Sequence, residues 1–403
     1  MKKDNLARGF RVPGFTTSGI FCGIKPNKQK DLALIFSKEP SIAAGIFTSN
    51  KIVSPTITWC QKTLKNSKNL RAIIINSGNA NACTGPKGME DCKSLASNLS
   101  KKILVDPKEI LIASTGIIGV PLPINKIIKA LPVLTSKLSP TGWTHSAKAI
   151  MTTDLTPKFK SLSFYIGKHK ITIGGIAKGS GMIHPNMATM LAFIATDAVI
   201  DKSTLKRALK ETNNRTFNRI TVDGDTSTND MALILANGKA RNKSIRVGSS
   251  SFKKFVEKLN ELCLYLAHKI VLDGEGATKF VTIRVQGTRA KIHAHRIAQS
   301  VATSSLVKTA LFGQDPNWGR IIAAVGYAGV PLNANRIKIS LNDSVLFNNG
   351  LPTKEALQST LRKKMKNKNI SIIIDLKSGI YSDEVYTCDL SYDYVRINAE
   401  YTT

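Results

Sequence analysis

Acidic residues are scarce in this chain of 403 residues, in which 27 Asp and Glu stand against 58 Lys and Arg, for a net charge of +31. A positive field of that size attracts polyanions, so one interpretation is a nucleic-acid-binding protein. The other is a compositional bias that spreads lysines over solvated faces. The basic residues occur throughout the chain, aromatic residues make up only 6%, and no helix-turn-helix, zinc-finger or RNP-like pattern is present. We therefore expect no specific nucleic-acid partner.

Long apolar runs are also absent, since no stretch approaches the roughly 20 consecutive apolar residues that span a bilayer. The basic start of the chain is followed by no apolar segment of the secretory type. The six cysteines form no C-x-x-C pair and no zinc-like spacing with histidine, which suits a reducing compartment. His293 and His295 flank one residue, and we expect a solvated strand face rather than a metal site. The sequence thus predicts a cytoplasmic protein with no membrane segment and no metal.

Length and hydrophobic pattern indicate a mixed α/β protein with at least two lobes or layers, because 403 residues exceed what one hydrophobic core usually supports. The predicted strands are Asp31–Phe36, Arg71–Asn76, Lys170–Ile173, Met190–Ile194, Phe280–Val285, Ala290–His295, Ile337–Leu341, Ser344–Phe347 and Ser371–Asp375. The predicted helices are Asp91–Leu104, Leu205–Thr212, Ser251–Ile270, Arg296–Leu311 and Lys354–Lys366. Gly287–Arg289 is expected to join Phe280–Val285 and Ala290–His295 as a strand pair.

What the sequence does contain is a glycine-rich segment, Gly174–Leu191, with four glycines, one lysine and a threonine between two apolar runs. Glycines let the backbone adopt positive φ and approach another group closely, so the pattern predicts a shaped loop entering a buried strand. Thr189 stands where the loop meets that strand. Thr189 is either an ordinary strand residue or a nucleophile that reacts through its hydroxyl. The pattern alone favours the strand residue, because threonine is a good strand former.

The same segment closely resembles the self-cleavage and nucleophile motif of the ornithine acetyltransferase family, the bifunctional glutamate N-acetyltransferases of arginine biosynthesis. Other blocks resemble the family in the family's own order, and together they span nearly the whole chain. These blocks are Asn76–Gly85, Ser114–Gly119, Met151–Asp154, Asp223–Asp230, Asp273–Lys279, Gly313–Arg320 and Asn398–Thr403.

The resemblance also implies a fold, whereas strand–helix alternation alone equally permits a doubly wound sheet. The implied fold is a layered α/β sandwich of the self-processing N-terminal-nucleophile amidase type with a C-terminal α/β lobe. Cleavage between Ala188 and Thr189 is expected to give an alpha chain, 1–188, and a beta chain, 189–403, with the lobe from about 286–403. Two alpha and two beta chains would form a heterotetramer.

The chemistry implied by the resemblance centres on Thr189. A threonine hydroxyl is a poor nucleophile unless a base takes its proton, and an N-terminal threonine has such a base in its own α-amine, with a reference pKa of about 7.7–8.0. Cleavage before Thr189 would create that amine. Acyl transfer also needs donors for the developing oxyanion, and the resemblance assigns them to Thr115 and Gly116, which would otherwise be an ordinary turn.

Substrate recognition requires charge pairing, because an acetylated amino acid carries ionised groups. Lys178 is the only lysine or arginine in the glycine loop and could hold a carboxylate, and Glu275 lies in a second glycine-flanked turn and could pair with an ammonium. By resemblance the substrate contacts are Thr152, Lys178, Thr189, Glu275, Asn398 and Thr403, with Thr153 as the alternative to Thr152. The acidic block Asp223–Asp225 is interpreted as a tight turn without a catalytic role.

The implied reaction moves acetyl from N-acetylornithine to glutamate by a ping-pong route through an acetyl–Thr189 ester, without a metal or tightly bound cofactor. Some family members also take acetyl-CoA as donor, and the sequence leaves that second activity open. The alternative on the same scaffold is an N-terminal-nucleophile aminopeptidase or amidase, in which water resolves the acyl-enzyme. A third hypothesis, a basic nucleic-acid-associated protein of vestigial enzyme ancestry, is disfavoured by the intact nucleophile loop.

Overall fold

The fold is built on two β-sheets and the helices that cover them. The structure is a computed structural model that describes residues 10–184, 190–357 and 360–400. Ala188, Thr189 and Thr403, three of the residues to which the sequence assigns a function, lie outside these ranges. Met190, directly after Thr189, and Asn398, a predicted substrate contact near the C-terminus, lie inside.

The larger sheet has eight strands within the described residues, in the order β4-β3-β2-β8-β7-β6-β5, with β1 beside β2. The hairpin of β5 and β6 is antiparallel, whereas β7 with β8 and β3 with β4 are parallel pairs. The strands are β1 (Phe15–Ile20), β2 (Leu32–Phe47), β3 (Leu70–Asn79), β4 (Ile110–Ile117), β5 (Lys158–Ile166), β6 (His169–Lys178), β7 (Leu191–Thr196) and β8 (Met231–Ala236).

The smaller sheet has six strands within the described residues, in the order β12-β11-β10-β13-β9-β14. They are β9 (Phe280–Thr288), β10 (Lys338–Leu341), β11 (Ser344–Asn348), β12 (Leu351–Pro352), β13 (Asn369–Asp375) and β14 (Tyr381–Cys388). The helices are α1 (Pro55–Asn66), α2 (Gly85–Ile103), α3 (Ile124–Ser136), α4 (Trp143–Ala149), α5 (Lys202–Asn213), α6 (Ser250–Leu272), α7 (Lys291–Thr303), α8 (Ser305–Phe312), α9 (Trp318–Gly326), α10 (Thr360–Lys364) and α11 (Tyr392–Glu400).

Strand β2 explains the layering of the larger sheet. Its register shifts between Phe36 and Ser41, so that its first part pairs with β1 and β3 and its second part with β8. Side chains alternate between faces along a strand. Accordingly Leu32 and Leu34 pack in one cluster with α2 and α3, whereas Ala33 and Ile35 belong to an inner cluster that also holds residues of β7 and β8.

Helices cover the outer faces of both halves of this sheet. The other face of β6, β7 and β8 packs on α5 and α6 in a third apolar cluster. Each of these helices begins at a side-chain cap, Asp201 for α5 and Ser249 for α6, which satisfies an otherwise unpaired backbone N–H. The smaller sheet packs on α7, α8 and α9 around a separate core. The predicted layered α/β sandwich with a C-terminal α/β lobe is confirmed.

Most predicted elements are confirmed, but the prediction of a strand over Ala290–His295 is wrong. These residues form the link into α7 and its first turns, and β9 pairs with β13 and β14 instead. The reason is an apolar face at helical spacing, Ala294, Ile297, Ala298 and Val301, which is buried in the smaller core. His293 and His295 therefore lie on a helix and not on a strand face.

Two predicted helices differ from the observed elements. The segment Arg296–Leu311 is divided between α7 and α8 at Ser304, which adopts an extended conformation and whose hydroxyl caps α8. In place of a single helix over Lys354–Lys366, the described residues form a 3₁₀ turn, Lys354–Leu357, and the short α10. No described helix is both long and apolar enough to cross a membrane.

Candidate active site

One cleft collects the described residues to which the motifs assign catalysis or substrate binding. It lies at the ends of β4 and β6 and encloses about 850 Å³, including its open mouth. Met190, the residue directly after Thr189, also lines it. The predicted site residues that it brings together are Thr115, Gly116, Thr152, Lys178, Glu275 and Asn398.

The end of β4 supplies the predicted oxyanion pair. Gly116 lies opposite Gly78 of β3 and has a φ of +132°, a conformation that side chains rarely allow. A Cβ at this position would lie 2.3 Å from the carbonyl carbon of Gly78, so the two strands approach this closely only because residue 116 is glycine. Thr115 therefore projects into the cleft from a strand end whose geometry glycine sets.

Lys178, the last residue of β6, faces Thr115 across the cleft. Its ammonium donates a hydrogen bond to the Thr115 hydroxyl over 3.3 Å. Among the described residues that line the cleft, Lys178 is the only lysine or arginine. A carboxylate that enters the cleft would meet its positive charge there.

Glu275 brings a negative charge to the cleft, and this residue is buried. Its carboxylate accepts a hydrogen bond of 2.9 Å from the Asn398 amide, so the predicted contact from α11 lies directly on the predicted ammonium-binding group. A Cβ at Gly181 would lie 2.2 Å from a Glu275 carboxylate oxygen. The glycine at 181 thus makes room for this carboxylate beside the loop after Lys178.

Beneath the cleft is a buried ion cluster. The Lys158 ammonium lies 2.7 Å from an Asp154 carboxylate oxygen and 2.5 Å from one of Asp273. Asp154 also accepts the backbone N–H of Thr152 over 2.9 Å. Burial alone would raise the pKa of Asp154, but the charges of Lys158 and Lys178 outweigh it and hold that pKa at about 2. Asp154 is therefore a carboxylate at neutral pH.

Comparison with known proteins gives the same family as the motifs. The model of the ArgJ family matches residues 16–403. The chain belongs to the ArgJ family. The arginine biosynthesis bifunctional protein ArgJ of Caldanaerobacter subterraneus subsp. tengcongensis is 45% identical over 395 residues, which are 97% of this chain and 97% of that protein. The family predicted from the sequence is confirmed.

Two solved structures of similar proteins each match about half of this chain. The ArgJ protein of Bacillus halodurans is 41% identical, with a TM-score of 0.49; the matched region is 51% of this chain and 96% of the solved chain. An ornithine acetyltransferase of Mycobacterium tuberculosis, in complex with ornithine, is 33% identical, with a TM-score of 0.39. Here the matched region is 45% of this chain and 96% of the solved chain.

The acidic block of this ArgJ family member, interpreted as a turn, contributes to the cleft as well. Asp223 and Asp225 both line it. The Asp223 carboxylate accepts the backbone N–H groups of Met182 and Ile183, over 2.6 and 2.8 Å, and thereby fixes these two residues after Gly181. Burial raises the pKa of Asp223. The motif match identified the block, but nothing in its spacing connects it with residues 182 and 183.

Two more cleft residues were missed because their roles depend on distant chain segments. The Asn229 amide donates to the carbonyl oxygens of Ala80 and Ser114, over 2.6 and 2.8 Å, and so joins the ends of β3 and β4. Tyr394 of α11 lines the cleft near the carboxylates, and burial together with these charges raises the pKa of its phenol. Asn229 lies inside a family block, whereas Tyr394 carries no sequence signal.

Lys25 is a further residue that sequence reasoning missed. Its ammonium is buried and donates to the carbonyl oxygens of Met151 and Lys30, over 2.6 and 3.0 Å. Burial lowers the pKa of Lys25 to about 8. It supports the segment that carries Thr152. Among the described residues, no group of three or more His, Cys, Asp or Glu side chains is arranged to hold a metal ion.

Proposed function

We propose that this chain is a glutamate N-acetyltransferase that transfers the acetyl group of N-acetylornithine to L-glutamate. The observation that carries the proposal is the composition of one cleft. It combines a cation, Lys178, a buried carboxylate, Glu275, and the strand end Thr115–Gly116, next to the residue directly after Thr189. A zwitterionic amino acid needs both charges, and an acyl group in transfer needs oxyanion donors.

The first step in this proposal is self-cleavage. The Thr189 hydroxyl attacks the carbonyl carbon of Ala188, and the acyl group moves from nitrogen to oxygen. Water then hydrolyses the ester, which leaves the carboxylate of Ala188 on the alpha chain, 1–188. The beta chain, 189–403, begins with the free α-amine of Thr189, a base of suitable pKa next to the hydroxyl.

Transfer then proceeds in two half-reactions. The α-amine takes the hydroxyl proton of Thr189 as the oxygen attacks the acetyl carbonyl of N-acetylornithine, and Thr115 and Gly116 stabilise the oxyanion. The proton passes to the departing ornithine amine, and the acetyl group remains on Thr189 as an ester. The neutral α-amine of glutamate attacks this ester, which releases N-acetylglutamate and restores the Thr189 hydroxyl.

Substrate binding in the proposal follows charge. Lys178 pairs with a substrate carboxylate and Glu275, supported by Asn398, with an ammonium; Thr152 and Thr403 complete the contacts. Acetyl-CoA is a second donor in this proposal, supported by the bifunctional name of the relatives. We also propose a cytoplasmic heterotetramer of two alpha and two beta chains. The six cysteines, which form no disulfide, fit that compartment.

Mass spectrometry and N-terminal sequencing of wild-type protein and Thr189→Ala test the first step. Wild type is expected as two fragments with a new N-terminus at Thr189, and the variant as one chain without acetyl transfer. An uncut but folded wild-type chain would remove the base from the mechanism. Thr189→Ser, which retains a hydroxyl and an α-amine, is the matched control and should still be cut.

An acceptor assay then separates transfer from hydrolysis. Repeated turnover of N-acetylornithine to ornithine should require glutamate and yield stoichiometric N-acetylglutamate, because without glutamate the reaction stops at the acetyl–Thr189 ester. Ornithine release at the same rate without glutamate would instead indicate the amidase alternative. Replacing N-acetylornithine by acetyl-CoA in the same assay determines whether the second donor is used.

A further inference from the structure

We infer that Lys158, held between Asp154 and Asp273, is a positioning residue whose ion cluster fixes the cationic and anionic substrate-binding groups of the cleft relative to each other. The inference rests on the proposed function, because it explains how Lys178 and Glu275 are set for an amino-acid substrate. It concerns residues that lie below the cleft surface and touch no substrate.

The cluster is buried. The side chains of Lys158 and Asp154 are 0% exposed and that of Asp273 is 7% exposed. Besides the two ion pairs, the Asp273 carboxylate accepts the backbone N–H groups of Leu155 and Thr156, over 3.0 and 3.2 Å. A buried charge without a partner is strongly destabilising, so these three groups retain one arrangement.

Asp154 connects the cluster to the cationic side of the cleft. The carboxylate oxygen that contacts Lys158 also accepts the backbone N–H of Gly179, the residue after Lys178, over 2.8 Å. Its other oxygen accepts the N–H of Thr152. The end of β6 that presents Lys178 and the segment that presents Thr152 are therefore fixed by one carboxylate.

Asp273 connects the cluster to the anionic side. Its carbonyl oxygen accepts the Ser180 hydroxyl over 2.5 Å, and the carbonyl oxygen of Ser180 accepts the backbone N–H of Glu275 over 3.0 Å. Lys178 and Glu275 are thus joined to Lys158 through short, buried chains of contacts. A shift of either carboxylate of the cluster moves one of the two substrate-binding charges relative to the other.

The position of the cluster in the chain adds a second consequence. Asp154, Lys158 and Lys178 precede the predicted cleavage bond, whereas Asp273 and Glu275 come after it. Once that bond is cut, the contact between Lys158 and Asp273 joins two separate chains. The cluster then keeps Lys178 of the alpha chain and Glu275 of the beta chain at the spacing that they had before cleavage.

Steady-state kinetics of a neutral cluster test this inference. The variant combines Lys158→Met, Asp154→Asn and Asp273→Asn, which removes the three charges of the cluster together. We expect complete self-cleavage, a KM raised at least tenfold for both N-acetylornithine and glutamate, and a kcat within threefold of wild type. A cleaved and folded variant with wild-type KM values would overturn the inference, and so would a loss confined to kcat.

Lys160→Met is the matched control. Lys160 lies two residues further along β5, and its half-exposed ion pair with Glu261 spans 3.7 Å. This variant should retain wild-type KM and kcat. If it raises KM as much as the neutral cluster does, the effect belongs to strand β5 in general and the inference fails.

Ser180→Ala keeps the inference testable should the triple variant fail to fold. It removes a single hydrogen bond to Asp273 and leaves every charge in place, and KM should rise about threefold for both substrates. Unchanged KM values would overturn the inference. A wild-type protein without acetyl transfer would contradict the proposed function instead. In that case calorimetric titration with ornithine tests the inference, and we expect the triple variant to bind ornithine at least tenfold more weakly than the wild type. Equal affinity of the two proteins would overturn the inference.

Discussion

The Lys178 ammonium lies 3.3 Å from the Thr115 hydroxyl, so the cation at the end of β6 and the predicted oxyanion donor at the end of β4 are in direct contact. An ammonium only donates hydrogen bonds, and the Thr115 oxygen is therefore the acceptor. Its own proton remains available for another acceptor. The contact thus orients the hydroxyl as a donor and adds a positive charge nearby, two features that stabilise an oxyanion.

Thr115→Val, which retains the shape of the side chain but removes the hydroxyl, should lower kcat by about 10²–10³ with little change in KM, as expected for the loss of one oxyanion donor. Steady-state assays of N-acetylornithine and glutamate measure both constants. Thr115→Ser is the control and should retain most activity. A valine variant with wild-type kcat would show that the hydroxyl has no part in the oxyanion site.

The sequence predicts the side chains that line the cleft better than it predicts the contacts that hold the surrounding backbone in place. Thr115, Lys178 and Glu275 occur in motifs that match the family's pattern, so each could be identified without coordinates. Asn229 and Lys25 act by donating to backbone carbonyls of distant segments, over 2.6 Å for the shortest contact of each. Contacts of this kind leave no periodicity in the sequence, because the partner is a main-chain atom that any residue could supply.

The misassigned strand has a different physical cause. Ala290–His295 alternates polar and apolar residues over a short stretch, and such a stretch is compatible with either a strand or the start of a helix. The next residues along the chain decide between the two, because Ile297, Ala298 and Val301 extend an apolar stripe at helical spacing, and the smaller core buries it. Tertiary burial, which the six residues alone do not reveal, selects the helix.

Glu275→Gln should raise the KM for N-acetylornithine about tenfold, since a hydrogen bond to a charged group contributes about 1.5 kcal/mol or more and the amide cannot pair with an ammonium in the same way. The amide retains the shape of the side chain and an acceptor for Asn398, so the fold should be unchanged. Glu257→Gln, at an exposed position of α6, is the matched loss of one negative charge and should leave KM unaltered. Equal effects of the two variants would contradict a local role for Glu275.

Asp197 offers a prediction on pH. Its carboxylate accepts the backbone N–H of Thr172 over 2.7 Å, and burial raises its pKa to about 6 from an ordinary 3.8. Since the folded state binds this proton more tightly than the unfolded state, the contribution of Asp197 to stability falls as the pH rises from about 4 to 6 and stays low above. Asp197→Asn retains the acceptor and removes the charge.

The asparagine variant should therefore match the wild type near pH 4 and be more stable at pH 8, by at most about 3 kcal/mol. Urea unfolding at both pH values measures this difference. It is best done in the uncut Thr189→Ala background, where unfolding involves one chain. Equal stability of the two proteins at pH 8 would show that the buried carboxylate carries no such cost.

Alanine substitutions at Gly116 and Gly119 distinguish the effect of backbone strain from that of close packing. Both have positive φ, +132° and +81°, so alanine at either position is strained by about 1–2 kcal/mol. At Gly119 a Cβ would have no atom within 4 Å, whereas at Gly116 it would lie within 2.3 to 2.7 Å of three backbone atoms of Gly78 and Asn79. Alanine at 116 must therefore separate the ends of β3 and β4.

We expect Gly119→Ala to lose only the stability attributable to its φ and to retain kcat. Gly116→Ala should melt at a lower temperature than Gly119→Ala and lose kcat by at least about 100-fold, because the shift moves Thr115 away from the developing charge. Melting temperature and kcat of the two variants test this directly. If both lose activity equally, strain in this segment is sufficient to explain the loss. If neither loses activity, the end of β4 does not hold the oxyanion, and the donors must be sought elsewhere in the cleft.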